Sequence, residues 1–545
     1  MFLMRRKESR LPQKALFPLF FIQVAILVGI FLSSRTSYLW FWAVISFIPA
    51  LIICLFSSKR FVLVSLFVLF ISQQAIIFSA NPSWGIAFGS DPINDFHTAS
   101  VMSESAHFSL GSLGYTQRTS YSYYPILHLF SVIFASLSGF SLIYVALYLV
   151  PILNAFLTTF SLYKLNYELF GLEGTVRNLA TLLFEMSFYY SLFDSQFVRE
   201  AFAFPIVLLA LWILVRSAKK PSNAYSAIAV LLIGVIVLSH QVSSYVFFLL
   251  LALLTICFNV FHHNNRLNRM LLLAGVLIGA YTSFVALAFS ASTLTYVFQG
   301  LEAIFVRGGS YTILKTYSAS SLYLSYAYYV VLSISVAIGG LKIMRTKKKN
   351  WVSFTMLGFF TFAFVLCVLL RLSTSADPWS YTYYSALRGT IWAFIGISVL
   401  AAMGLVSITR MPFFKGKGFL VLVLIVCILA AGKISQYPTF ITDSSTLPLT
   451  HPGYIAALWL RSTTTHGENM LVADYRVDNN AFESSRSMAP YAYLKEYFLD
   501  ESKGVTFANF NGYVPFVAGY FDQYRNSTRI QIIYSNGNVE IGKTS

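Results

Sequence analysis

Residues 124–138 read YPILHLFSVIFASLS, and whether this stretch crosses a membrane decides on which side every later loop lies. The stretch is apolar enough to be embedded in a membrane, but it is short, and Pro125 and His128 interrupt it. The chain around it has the composition of an integral membrane protein, because 57% of its 545 residues are hydrophobic and only 11% are charged. The topology therefore depends on how many other segments cross the membrane.

Apolar runs predict thirteen other membrane spans. The first follows a basic N-terminus and is not followed by a small-residue cleavage site, so we interpret it as an uncleaved span rather than a signal peptide. The thirteen spans lie near residues 15–33, 38–56, 61–80, 141–163, 178–193, 201–216, 223–239, 242–262, 270–290, 322–341, 351–370, 389–409 and 418–436.

Charge distinguishes the two topologies. If residues 124–138 cross the membrane, the later basic loops face outward, and if they lie at the interface, those loops face the cytoplasm. With thirteen spans, the cytoplasmic segments contain 22 Lys or Arg residues and the short outer loops contain eight. Because cytoplasmic loops carry the excess of Lys and Arg, we predict thirteen spans, an inward N-terminus and an outward C-terminus. The net charge of +17 then reflects topology rather than a nucleic-acid partner.

The predicted fold is an all-α polytopic membrane bundle with a small extracytoplasmic α/β domain at its C-terminus. The transmembrane domain covers residues 1–436, with a long outer loop at 81–140, and the outer domain covers 437–545. Because functional residues concentrate on loops that a rigid scaffold positions, the outer loop is the first place to look for a site.

The outer domain is predicted from local patterns. Residues 452–461 are helix-like, residues 470–474 are strand-like, and residues 529–534 alternate between polar and apolar side chains. Asn536-Gly537 follows the last of these patterns and supplies the positive φ angles of a two-residue type I′ turn, so the sequence predicts a β-hairpin there.

The long outer loop contains GSDPINDFHTASVMSESAHF at residues 89–108. Asp91 before Pro92 predicts a helix start with Asp91 as the N-cap. Asp95 follows at i+4, so both carboxylates can project from one face of that helix, with His97 close behind. The alternative interpretation is one capping and one solvated aspartate.

Further polar groups lie at the predicted span ends. Arg199 and Glu200 lie in a charged turn, and His240 ends an apolar run, where it is either a helix cap or a functional group. Arg371, Tyr384 and Arg388 flank a predicted span and suit a lipid phosphate, since guanidinium groups bind phosphate in a bidentate way. An interfacial aromatic belt with snorkelling arginines explains them equally well.

Glu185 is an acid inside a predicted span, where an ionisable group indicates either a function or a protonated, hydrogen-bonded side chain. Carboxylates and cations at the outer mouth of a bundle suit transfer of a group carried on a lipid phosphate. An aspartate can act as general base on an acceptor hydroxyl, while Arg and His groups stabilise the departing phosphate.

These motifs resemble the GT-C superfamily of membrane glycosyltransferases that use polyprenyl-phosphate-linked sugars, in its archaeal and bacterial form. Gly89-Ser90-Asp91 with Asp95-Phe96-His97 is similar to the acidic loop motif of the family, and residues 123–139 are similar to its juxtamembrane helix. The resemblance implies that Asp91 is the catalytic base and that Asp95 assists it or binds a divalent metal such as Mg²⁺ or Mn²⁺. No WWDYG motif occurs in the tail, which argues against transfer of whole glycans to asparagine.

The leading hypothesis is an inverting glycosyltransferase of the cell membrane with its active site on the extracytoplasmic side. Its donor is a dolichyl- or undecaprenyl-phosphate sugar, and its acceptor is a glycan, a lipid or a surface protein. One alternative is a glycan polymerase or ligase that uses lipid-pyrophosphate donors, and another is a lipid-glycan transporter or flippase with Glu185 in its pathway. The residues assigned to substrate binding are His97, Arg199, Glu200, His240, Arg371, Tyr384 and Arg388.

Overall fold

A computed structural model gives the architecture of the chain. Two compact units divide it: the first comprises Met1–Ala80, Pro151–Asp194 and Glu200–Thr439, and the second comprises Asn81–Val150, Ser195–Arg199 and Phe440–Ser545. The structure describes residues 13–32, 39–57, 59–80, 90–106, 123–187, 189–262, 264–286, 319–346, 351–373, 381–414, 416–435, 513–517, 530–535 and 539–544.

The described chain is mostly helical. The helices are α1 (Gln13–Leu32), α2 (Leu39–Phe56), α3 (Lys59–Ala80), α4 (Ser90–Ser105), α5 (Ile126–Ser138), α6 (Leu142–Glu168), α7 (Gly174–Phe184), α8 (Tyr190–Asp194), α9 (Arg199–Lys219), α10 (Asn223–Ser239), α11 (Gln241–His262), α12 (Asn265–Phe284), α13 (Ala319–Met344), α14 (Trp351–Ser373), α15 (Tyr381–Ile408) and α16 (Gly418–Ile434). Within α6, residues Val145–Leu149 form a π-helical turn.

Seven of the described helices contain segments long and apolar enough to cross a membrane, which identifies a membrane protein. The segments are Phe61–Ser79, Leu142–Glu168, Arg199–Lys219, Gln241–Val260, Asn265–Phe284, Tyr323–Met344 and Arg388–Ile408. Shorter apolar segments of 10–17 residues lie at Leu16–Leu32, Phe41–Phe56, Ile126–Ser138, Asn223–Ser239, Trp351–Cys367 and Gly418–Ile434. The polytopic helical architecture predicted from the sequence is confirmed, whereas the number of crossings and their orientation stay predictions.

The structure corrects the predicted span at 178–193, which is not one continuous helix. The 11 residues of α7 measure about 16 Å along the helix axis, roughly half the thickness of the hydrocarbon core of a bilayer. After Phe184 the chain leaves the helix, and it resumes as the five-residue α8. Broken backbone at membrane depth is tolerated where protein surrounds it, and both short helices are almost wholly buried.

Partners from distant helices replace the missing helical hydrogen bonds at this break. The Nζ of Lys433, in α16, donates to the backbone oxygen of Glu185 at 2.5 Å, and the hydroxyl of Tyr328, in α13, donates to the backbone oxygen of Met186 at 2.8 Å. The last carbonyls of a helix have no partner within it. These two side chains therefore explain how the chain can leave the helical path inside the bundle.

Close backbone contact joins α13 and α15 within the first unit. A Cβ atom on Gly404 would lie 1.8 Å from the backbone oxygen of Ser335, and one on Gly339 would lie 2.0 Å from that of Leu400. Small residues at membrane helix interfaces let backbones approach in this way. α15 also packs on α7 and α14 and is almost entirely buried from Thr390 to Leu405, so it is the central helix of this unit.

Helices α4 and α5 pack against each other in the second unit, where the long outer loop was predicted. The 13 residues of α5 are too few to cross a bilayer, in agreement with the predicted surface position. One face of α5 buries Leu127, His128 and Ser131, whereas Ile133 and Leu137 on the other face are 54% and 84% exposed. An apolar exposed face suits a helix that lies in the membrane interface.

Three antiparallel strands lie near the C-terminus: β1 (Tyr513–Val517), β2 (Ile530–Ser535) and β3 (Val539–Thr544), in the order β1-β3-β2. The pairing of β2 with β3 confirms the predicted strands of the hairpin. Ser535 pairs with Glu540, which leaves four residues between them rather than the two of a type I′ turn. The predicted turn, the helix at 452–461 and the strand at 470–474 lie outside the described residues, so the α/β domain stays a proposal.

Candidate functional site

Asp95 is the centre of a buried charged cluster in the second unit. Its Oδ1 lies 2.8 Å from Nε2 of His128, in α5, and 2.8 Å from Nε of Arg199. Its Oδ2 accepts a 3.1 Å hydrogen bond from the backbone N–H of Arg199, the first residue of α9. The first N–H groups of a helix have no intrahelical partner and favour a negative charge. Asp95 therefore neutralises the Arg199 side chain and also satisfies its backbone N–H.

His128 completes this cluster as a neutral donor. Burial lowers its pKa, the hydrogen bond with Asp95 opposes that shift, and the positive charge of Arg199 adds to it. A neutral imidazole contacts a carboxylate through its N–H, so the proton belongs on Nε2. The ring nitrogen Nδ1 is buried and has no hydrogen-bond partner among the described residues. We assign His128 to holding Asp95 rather than to carrying charge.

Asp91 lies one turn before Asp95 in α4 and is half-buried. The helix begins at Ser90, so Asp91 lies in its first turn rather than at the N-cap position predicted from Pro92. Positions i and i+4 share one face of a helix, as expected for this pair. Both oxygens of Asp95 are engaged by His128 and Arg199, and Asp91 is the less buried carboxylate of the pair.

Two residues predicted to bind substrate pair with each other in the first unit. Nη1 of Arg388, in α15, lies 2.5 Å from Oε2 of Glu200, in α9. Glu200 is 3% exposed at its side chain, and that of Arg388 is 18% exposed. The ion pair holds the Arg388 guanidinium group next to Glu200, and guanidinium groups suit the recognition of phosphate.

His240 has the geometry of a helix cap. It ends α10, and its Nδ1 accepts a 3.3 Å hydrogen bond from the backbone N–H of Ser243 in the first turn of α11. The same nitrogen lies 3.0 Å from the hydroxyl of Ser243. This contact is that of a helix cap, and the assignment of His240 to substrate binding stays a prediction.

The remaining predicted residues lie in helices whose side chains are only partly described. His97 is in α4, Arg371 is in α14, and Tyr384 is in α15, so the backbone of each is placed. Their side chains are outside the described part of the structure. Their assignment to substrate binding stays a prediction.

Glu185 is not the isolated acid that the sequence indicates. Its Oε1 lies 3.0 Å from Nζ of Lys433 and accepts a hydrogen bond from Ser191. Lys433 also donates to Ser191 and to Gln73, and the side chains of both Glu185 and Lys433 are at most 1% exposed. The closed set of contacts argues against Glu185 as part of an open transport pathway.

A divalent cation does not fit Asp95 in this arrangement. The Arg199 guanidinium group already neutralises its charge, and a second cation next to that group would be repelled. No group of three His, Cys, Asp or Glu residues suited to a metal occurs in the described part of the chain. We therefore derive no step of the reaction through a metal ion.

Solved structures share this architecture at low sequence identity. An Archaeoglobus fulgidus oligosaccharyltransferase, crystallised with a tethered acceptor peptide that contains the NVT sequon, aligns with a TM-score of 0.50 and 14% identity, over 84% of this chain and 69% of that one. The same protein in complex with zinc and sulfate also gives 0.50, at 12% identity, over 82% of this chain and 67% of that one. The chain has the GT-C fold.

Other comparisons give a lower TM-score or no match. ArnT from Cupriavidus metallidurans, bound to undecaprenyl phosphate, aligns with a TM-score of 0.48 and 12% identity, over 87% of this chain and 97% of that one. The sequence matches no protein-family model and no curated protein. The predicted GT-C resemblance is confirmed for the fold.

Within the GT-C fold, two features of the cluster around Asp95 are not evident from the residues alone. His128 interrupts an apolar stretch, and a polar residue inside such a stretch is a signal for a buried contact, although it does not reveal the partner. Arg199 contacts Asp95 across 104 residues, a distance that no local spacing reveals.

Proposed function

We propose that the chain is a membrane glycosyltransferase that transfers a sugar from a polyprenyl-phosphate donor to a glycan, lipid or protein acceptor, with Asp91 as general base. The observation that carries the proposal is the buried Asp95–His128–Arg199 cluster in a chain with the GT-C fold. This cluster fixes α4, and α4 presents Asp91 half-buried one turn earlier. A base must be held rigidly and still reach its substrate.

The chemistry assigned to Asp91 balances without a cofactor. Its carboxylate accepts the proton of an acceptor hydroxyl, and the acceptor oxygen forms a bond to the anomeric carbon of the sugar. The bond between that carbon and the phosphate oxygen breaks, and polyprenyl phosphate leaves with the electron pair. Attack from the face opposite the leaving group inverts the anomeric configuration, the course we assign to this enzyme.

Arg388 is the described cation that best suits the departing phosphate. Its guanidinium group pairs with Glu200 and is partly exposed, and negative charge that develops in a transition state is stabilised by cations held nearby. The excess of basic residues in the alternate loops supports an active site on the extracytoplasmic side of a cell membrane.

The decisive variant is Asp91→Asn, which removes the base and keeps its shape. We expect kcat for sugar transfer to fall by about 10²–10⁴-fold, with an unchanged unfolding temperature. Transfer is measured with a radiolabelled polyprenyl-phosphate sugar and the purified full chain. Ser103→Ala, at an exposed position of the same helix, is the matched control and should keep full activity.

Arg388→Ala separates this proposal from a polymerase or ligase that uses lipid-pyrophosphate donors. Such an enzyme depends on cations for its more highly charged leaving group, so Arg388→Ala would then impair it more than Asp91→Asn. Full activity of Asp91→Asn would refute Asp91 as general base.

A further inference from the structure

A basic surface lies outside the candidate site, in the first unit. Its described cations are Lys342 and Arg345, at the end of α13, and Arg410 and Lys417, between α15 and α16. We call these four residues, with Met411–Phe414, the basic face. No Asp or Glu occurs in residues 303–376 or 378–442. Among the described residues, none of the four cations forms an ion pair.

The helix packing brings these cations to one end of the unit. Gly339 of α13 lies against Leu400 of α15, and further along both chains Lys342 and Arg410 interact as like charges. The two helices therefore run parallel, and their C-terminal ends share one face of the unit. Like charges held together repel each other, and an anion bound between them relieves that repulsion.

Exposed apolar side chains accompany the cations. Phe413 is 87% exposed, Met411 is 39% exposed, and the ring of Phe413 packs edge-on against that of Phe414 with centroids 5.0 Å apart. An exposed phenylalanine next to exposed cations has the pattern of a segment that lies at a membrane surface, with its ring among acyl chains and its charges among headgroups.

A neighbouring helix end belongs to the same surface. The ring of Phe56, the last residue of α2, contacts that of Phe419 in α16, with centroids 6.3 Å apart. In sequence, Lys59 and Arg60 follow Phe56 within four residues. The connections that follow α2, α13 and α15 all contain basic residues, and all three therefore begin at this end of the unit.

We propose that the basic face is a binding site for anionic phospholipid headgroups. The phosphate supplies a counter-charge to the four cations, and Phe413 enters the apolar region of the same leaflet. Because Phe413 adds contact with acyl chains, the site favours a lipid over free phosphate. The proposal depends neither on sugar transfer nor on Asp91.

The test uses the full chain in mixed micelles with equal amounts of phosphatidylglycerol and phosphatidylcholine, and native mass spectrometry counts the lipids retained. The wild type should retain phosphatidylglycerol preferentially. In Arg410→Gln/Lys417→Gln its affinity should fall about fivefold for each charge removed. Arg269→Gln, an exposed cation on α12 outside the basic face, is the matched control and should keep the preference. Phe413→Ser should weaken retention of phosphatidylglycerol.

Unchanged unfolding temperatures show that the variants are folded. The proposal is overturned if Arg410→Gln/Lys417→Gln keeps the wild-type preference, or if Arg269→Gln loses it equally. Competition by millimolar inorganic phosphate together with an unchanged Phe413→Ser variant would overturn the assignment to a lipid.

Discussion

Two buried ionic clusters among the described residues, one in each unit, use the same chemical groups in opposite ways. In the cluster of Asp95 with His128 and Arg199, a carboxylate accepts a hydrogen bond from the backbone N–H at the beginning of a helix. In the cluster of Lys433 with Glu185, an ammonium group donates to a backbone carbonyl just after the end of a helix. Both clusters are almost fully buried.

The difference follows from what a helix leaves unsatisfied at each end. The first N–H groups and the last C=O groups lack intrahelical partners, and the helix dipole favours an anion at the N-terminus and a cation at the C-terminus. At a buried helix end, other protein groups or ordered water must supply these partners. In each cluster, one ion therefore forms a hydrogen bond with a backbone group at a helix end. Its partner in the ion pair neutralises the charge of that ion.

The cluster of Lys433 is the one whose loss should matter most for stability. Lys433→Met removes the cation and leaves the carboxylate of Glu185 buried and uncompensated, and removal of one partner from a buried pair typically costs about 3–5 kcal/mol. We expect a correspondingly large fall in unfolding temperature for the purified protein in detergent.

A second variant separates the charge from the packing. In Glu185→Gln/Lys433→Met both charges are absent, so most of the lost stability should return. If the double variant were as unstable as Lys433→Met alone, the hydrogen bond of Lys433 to the backbone of Glu185, rather than the ion pair, would dominate.

The cluster of Asp95 should respond less strongly. Asp95→Asn keeps an acceptor for the backbone of Arg199 but removes the charge that neutralises its guanidinium group, and hydrogen bonds to charged groups contribute about 1.5–3 kcal/mol each. We expect stability to fall by about that amount, measured by thermal unfolding in detergent.

The neighbouring carboxylate is the control for this experiment. Asp91→Asn should leave the unfolding temperature nearly unchanged while it lowers kcat for sugar transfer by about 10²–10⁴-fold, because Asp91 is only half-buried whereas Asp95 is buried and paired with Arg199. An equal loss of stability in both variants would contradict the division of roles between the two aspartates.

The sequence predicted the helical position of Asp95 but not the contacts of either cluster, for a physical reason. Asp91 and Asp95 are one helical turn apart, so their spacing alone places them on a common helix. The apolar length of the helices and the exposed apolar face of α5 were likewise predictable, because they depend on local composition and period.

Contacts over long separations were not predictable in this way. Lys433 lies 248 residues from Glu185, and the sequence around Glu185 shows only an apolar run with no nearby cation. Nor does hydropathy reveal that the run breaks after Phe184, since the partners that permit the break come from α13 and α16. Local sequence patterns predict helices and strands. The side chains that form hydrogen bonds with the ends of those helices come from parts of the chain that only the tertiary fold brings together.

The smallest expected effect is on the pH dependence of stability. Acid pH should weaken the cluster of Asp95 and not that of Lys433, because only the cluster of Asp95 contains a histidine. Burial lowers the pKa of His128 from its ordinary value of 6.5, so the unfolded chain binds its proton more readily than the folded one. Stability from the neutral ring is therefore complete above pH 6.5 and is lost as the pH falls below it, by at most about 1.4 kcal/mol per pH unit.

His128→Gln keeps an N–H donor without a titratable group, so its unfolding temperature should depend less on pH between 7.5 and 5. The Glu185→Gln/Lys433→Met variant should keep the wild-type dependence. If His128→Gln instead steepened the loss toward acid pH, the ring would be protonated in the folded state, and the ion pair with Asp95 would outweigh burial.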